Sequence, residues 1–167
     1  MVLSSRQLDF SIDSLGDPFG RVFFLNGRVL RMINNEHLDD CMSLLNSKMF
    51  KELENKGFIP KTTIATDVVI DGVGLILEHE RVFNTRPHEW SFSMLKEVAA
   101  FALELNELCG KYGYELKDAH PHNFLFKDGH PIMIDIGSFQ KKGDYWVALL
   151  LPLWRKAQVH ARIQDED

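Results

Sequence analysis

The chain has 167 residues, 45% of them hydrophobic and 26% charged, with a formal charge of −5. That length and balance suffice for a real core, burying roughly 70% of the surface the unfolded chain exposes, and they exclude disorder along most of the sequence. The acidic charge and the scatter of basic residues exclude a nucleic-acid footprint.

The opening MVLSSRQLDFSIDS has no apolar stretch and is not read as a signal peptide. GDPFGRVFFLNGRVLRMI, over 16 to 33, holds two β-rich runs, Val22 to Leu25 and Val29 to Ile33. Asn26-Gly27 joins them, the dipeptide best suited to a type I′ turn, so the segment predicts a hairpin. EHLDDCMSLLNSKMFKELENKG, over 36 to 57, spaces Leu38, Cys41, Met42, Leu45, Met49 and Leu53 at helical intervals. One helix is predicted, stopped by Gly57. Val68 to Ile70 and Gly74 to Leu77 flank Asp71-Gly72 and predict a second hairpin.

RVFNTRPHEW, over 81 to 90, is polar and irregular and reads as a connector. From 91 to 113 the pattern is the clearest helix of the chain: Met94, Leu95, Val98, Phe101, Ala102, Leu105 and Leu108 share a face. Ser91 or Ser93 caps its start, and Gly110 and Gly113 close it. Phe124 to Phe126 and Ile132 to Ile134 then form a strand pair through Asp128-Gly129. Trp90, Phe92 and Trp146 read as packing residues. The apolar run YWVALLLPLW at 145 to 154 is too short to span a membrane and reads as a core or interface helix, a route to self-association. Cys41 and Cys109 show no C-x-x-C spacing, which favours free thiols in a reducing compartment and a cytoplasmic location.

The chemistry concentrates in ELKDAHPHNFLFKDGHPIMIDIGSF, over 115 to 139. Asp118 and Asn123 stand five residues apart, and Asp135 lies seventeen beyond Asp118, in Asp135-Ile136-Gly137. This order resembles the protein-kinase-like superfamily, in which a D-x-x-x-x-N loop precedes a hairpin and a metal-binding aspartate. DAHPHN looks like the D-x-H-P-x-N of the aminoglycoside and choline phosphotransferases. The resemblance implies an α+β, two-lobed fold, with a β-rich lobe over 1–82 and a reduced helical lobe over 83–167. It also implies ATP and Mg as cofactors and a small hydroxylated molecule as acceptor. Asp118 would take the hydroxyl proton, His120 would orient the loop, and Asn123 with Asp135 would hold magnesium, an amide oxygen and a carboxylate being the hard ligands this ion prefers. Gly137 would let the backbone turn sharply after Asp135.

In the first lobe, Gly16 and Gly20 stand where a phosphate-covering loop belongs, without a G-x-G-x-x-G pattern. The strand GRVLRMI offers Arg28 and Arg31 where such a kinase carries lysine. Arg31 is the candidate for the phosphates, with Glu52 as its helical partner, against the plainer reading of Glu52 as a solvated charge. His120, His122 and His130 have no fixed ligand face for zinc. The stretch after Asp135 is short for a kinase lobe, which leaves three expectations: a minimal kinase, a truncated module, or a domain completed by another chain.

A second resemblance covers more of the chain. The segment from His88 to Phe139 is similar to the N-terminal region of bacterial class I SAM-dependent methyltransferases of the nodulation type. That likeness implies a kinase-like module preceding a methyltransferase domain. The chain has no glycine-rich SAM turn of its own, so it is not expected to bind SAM or to methylate. The missing strand lysine and the short second lobe set the rival expectation, a non-catalytic pseudokinase module that binds nucleotide or a partner domain and regulates a methyltransferase.

Overall fold

A computed structural model of the chain describes residues 2–3, 8–83 and 85–143. The expected apolar helix around Trp146 to Trp154 lies outside them. The chain divides into two compact units, Met1–Arg81 and Val82–Asp167. Both mix strands with helices, so the class is α+β.

The first unit is built on a five-stranded antiparallel sheet. Its strands are β2 (Asp9–Phe10), β3 (Gly20–Leu25), β4 (Arg28–Ile33), β5 (Thr62–Ile64) and β7 (Leu75–His79), in spatial order β2-β3-β4-β7-β5. β3 and β4 form the expected hairpin, with Asn26 at φ 51° and Gly27 at φ 79°, the two left-handed positions of a type I′ turn. Phe23 faces Leu30 across that ladder, and Met32 faces Ile76 across the next. Residues paired in this way point to one side of a sheet. Ala65, Val68 and Ile70 cover that side and make a core with Phe23, Leu30 and Ile76.

Two expectations for this unit are corrected. Residues 36 to 57 form two helices, α1 (Leu38–Leu45) and α2 (Lys48–Asn55). The break falls where two polar side chains offer local alternatives to the helical ladder: Asn46 turns its amide back to the Met42 carbonyl, and the Ser47 hydroxyl accepts from Phe50 N–H at 3.0 Å as a new N-cap. The buried stripe is Cys41, Leu44, Met49, Phe50 and Leu53, while Met42 is exposed. The Asp71-Gly72 turn exists, with Gly72 at φ 76°, yet it joins no hairpin. β6 (Val69–Ile70) pairs in parallel with β1 (Val2–Leu3), and β7 takes β5 as its antiparallel neighbour.

The second unit has the expected helix and hairpin but is not the helical lobe expected: its described residues hold one α-helix and four strands, because the chain flanking the Asp118 to Asp135 stretch pairs with itself as two further strands. Helix α3 (Phe92–Gly110) is capped by Ser91, whose hydroxyl accepts from Met94 N–H at 3.3 Å. It buries Val98, Phe101, Ala102, Leu105 and Leu108, and the Phe101 ring meets Phe124 edge-on at 6.0 Å. β8 (Tyr114–Leu116) pairs antiparallel with β11 (Phe139–Lys141), and β9 (Phe124–Lys127) with β10 (His130–Met133) through Asp128 and Gly129, both at positive φ. Trp90 is buried against Phe126, but Phe92 is 64% exposed, because it starts the helix ahead of the buried face.

Candidate functional site

Strand β8 ends at Leu116, and the ladder it makes with β11 continues one step further. Lys117 N–H donates to the Ser138 carbonyl at 2.9 Å, which sets the loop that begins at Asp118 beside the turn that follows Asp135. From there the loop is tied by its own polar groups. His120 N–H donates to Asp118 Oδ1 at 2.9 Å, an Asx turn, and Asn123 N–H donates to the His120 carbonyl at 2.8 Å. The His120 ring caps a short 3-10 turn, Pro121–Asn123, accepting from His122 N–H through Nδ1, and the rings of His120 and His122 stack at 5.1 Å.

Asn123 stands at the entry of the β9–β10 hairpin and Asp135 just past its exit. Ile134 N–H donates to the Asn123 carbonyl at 2.8 Å and closes the base of the hairpin. The two side chains meet through a third, Ser138. The Ser138 hydroxyl donates to Asp135 Oδ2 at 2.5 Å, and Asn123 Nδ2 donates to the same hydroxyl at 3.3 Å. Asp135 Oδ1 accepts from Gly137 N–H at 3.2 Å. Gly137 therefore sits in a right-handed 3-10 turn, Ile136–Ser138, that wraps the carboxylate, in place of the sharp reversal expected from its type. Ser138 is fully buried, and the sequence expectations assign it no role at the site.

Asp118 is not part of that chain of side chains. Its Oδ2 takes no hydrogen bond from any described residue. Among the described residues no group of three or more His, Cys, Asp or Glu side chains is arranged to hold a metal ion, the His120, His122 and His130 set included. One amide oxygen and one carboxylate are too few for an ion of their own, and an ion held by so few protein ligands would need water or ligand oxygens to complete its shell.

The candidates of the first unit form a separate group. Arg31 lies on β4, only 5% exposed, and its Nη1 donates to Asp17 Oδ2 at 3.3 Å. Asp17 also accepts from Phe19 N–H, so the loop between Gly16 and Gly20 is fastened by this carboxylate. Gly16 sits at φ 88° in open space. Gly20 is different: a Cβ there would fall 2.2 Å from the Met32 carbonyl oxygen, so the β3–β4 ladder itself requires a glycine. Glu52 is half-buried on α2. The other strand arginine, Arg28, is held by Asp67 at 2.7 Å and Glu78 at 2.6 Å, and hydrogen bonding to it holds both carboxyls below the usual range.

No family model matches the chain. It is 28% identical over 140 residues to the nodulation protein NoeA of Rhizobium meliloti. The matched region is 80% of this chain and 29% of that protein, so the chain spans less than a third of that relative's length.

Proposed function

We propose that the chain is a kinase-like module that binds a magnesium nucleotide and transfers its terminal phosphoryl group to a small hydroxylated molecule. The observation that carries this reading is the Asn123–Ser138–Asp135 chain at the base of a hairpin, with the Asp118 loop strapped beside it. The order of the second unit agrees with it: a long helix, a strand, the Asp118 loop, a hairpin, Asp135, and a strand returning to pair with the first. In the proposed reaction the acceptor oxygen forms a bond to phosphorus as the bond to the bridging oxygen breaks and the nucleoside diphosphate leaves. Asp118 Oδ2 takes the hydroxyl proton. Asn123 Oδ1 and Asp135 would hold the magnesium, which when bound offsets the phosphate charge.

A second reading, a non-catalytic module that binds nucleotide or a partner such as a methyltransferase domain, is favoured by the first unit. Arg31 is engaged by Asp17 and Gly20 by strand packing, so two residues expected at the phosphates have structural duties. The experiment is thermal unfolding with Mg-ATP. Ligand at a hundredfold its Kd stabilises by about 2.7 kcal/mol, a rise in Tm of about 5 to 10 °C for this size. The reading expects that rise, its loss in Asp135→Asn, and ATP turnover with a suitable acceptor. A rise without turnover favours the second reading, and no rise with any nucleotide removes the nucleotide site.

A further inference from the structure

A serine hydroxyl has one proton to give and lone pairs with which to accept. At Ser138 the 2.5 Å contact, in which the hydroxyl donates to Asp135 Oδ2, uses the proton. Toward Asn123 the same hydroxyl is then an acceptor only. The end of the Asn123 amide that faces it, at 3.3 Å, has to be Nδ2, and Oδ1 is turned away from Ser138. The two flip states of an asparagine amide are nearly equal in shape and opposite in polarity, so this contact selects between an oxygen and an NH2 group at the same place.

We infer that Ser138 is a positioning residue: its buried hydroxyl fixes Asn123 so that a hard oxygen, and not an amide nitrogen, is offered beside Asp135 to a divalent cation. The inference rests on the nucleotide reading above and adds to it the residue that sets the polarity of the ligand pair. Three backbone bonds keep the hydroxyl where it acts. Lys117 N–H holds the Ser138 carbonyl, Ser138 N–H donates to the Asp135 carbonyl at 3.3 Å, and Ile134 N–H holds the Asn123 carbonyl.

The test is titration of the full chain with Mn2+ in the presence of ADP, followed by the paramagnetic signal of the free ion, alongside ADP binding without metal. Loss of an outer partner of a metal ligand costs about 10- to 100-fold in metal affinity, and Ser138→Ala is expected to show that loss while metal-free ADP binding stays unchanged. Ser138→Thr, which keeps the hydroxyl, is expected to restore most of it. If Ser138→Ala unfolds, Ser138→Cys replaces it, since a thiol is nearly the same size and a poor acceptor, and the same loss is expected. Wild-type affinity in the Ala or Cys variant, or an equal loss of metal-bound and metal-free ADP, overturns the positioning role and leaves the nucleotide reading standing. A wild-type chain that takes up no Mn2+ with ADP overturns both.

Discussion

Lys117 and Ser138 are joined by one backbone hydrogen bond of 2.9 Å, and it is the point where the two halves of the candidate site are sewn together. It extends the β8–β11 ladder to the last residue before Asp118, while Asp135 is reached three residues before Ser138. The carboxylate proposed as base is thereby held at the end of the β8–β11 sheet and the pair proposed as ligands at the base of the separate β9–β10 hairpin, so a change in one side chain leaves the others in place.

Asp118→Ala tests that independence. It removes an Asx-turn hydrogen bond from a half-exposed loop, so the expected loss of stability is within about 1 kcal/mol. Mg-ATP binding, read by thermal shift, is expected to persist. Turnover is expected to fall by about 10²- to 10⁴-fold, the usual contribution of a positioned base. Full activity in the variant removes Asp118 from the chemistry.

Gly20→Ala tests the packing of the β3–β4 ladder. The added Cβ would lie 2.2 Å from a backbone oxygen, which cannot swing aside as a flexible side chain can. Destabilisation of about 1–3 kcal/mol is expected, as for other overpacked sites, and a denaturant midpoint measures it. An unchanged midpoint means the strands separate more readily than the register implies.

The Arg28 cluster predicts a pH dependence. Asp67 and Glu78 have lowered pKa values because Arg28 hydrogen-bonds to their charged forms, and Arg28 itself is shifted upward and stays charged at every working pH. A lowered carboxyl stabilises the fold above its unfolded pKa of about 4 and loses that contribution as pH falls through the folded value. Arg28→Gln is thus expected to flatten the decline of Tm with acid below about pH 4. Because these side chains are partly exposed, the difference is expected to be small and to shrink in high salt.

The two thiols predict chemical silence. Burial pushes Cys41 up to about 11, against a small opposing pull from Arg31, and Cys109 up to about 12. Neither thiolate is populated near neutrality, and both sulfurs are buried. A chromogenic disulfide reagent is expected to label neither in the native chain and both after denaturation. Rapid native labelling would contradict the burial.

The parts of the fold visible in the sequence were those fixed by neighbours along the chain. Asn26-Gly27 and Asp128-Gly129 make their hairpins because left-handed conformations are needed at two adjacent residues, and the dipeptides supply them. Ser91 caps α3 for a similarly local reason. What escaped was decided at a distance or by competition. Val69 and Ile70 have β character and a turn beside them, but their partner is the distant β1, a choice that only the assembled first unit makes. Thr62–Ile64 is too short for a pattern, and the apolar stripe across α1 and α2 hid the break at Asn46-Ser47. At the candidate site, the order of Asp118, Asn123 and Asp135 was legible, while the hydroxyl of Ser138 that joins two of them was not, because a hydrogen bond between side chains fifteen residues apart has no local signature.

The closed base of the β9–β10 hairpin also makes its tip an engineering port. Asp128 and Gly129 are exposed, and the Ile134–Asn123 bond pins the stem below them. A fluorophore or an inserted peptide placed at the tip would hang from a clamped stalk, because an exposed loop tip above a pinned stem tolerates additions best.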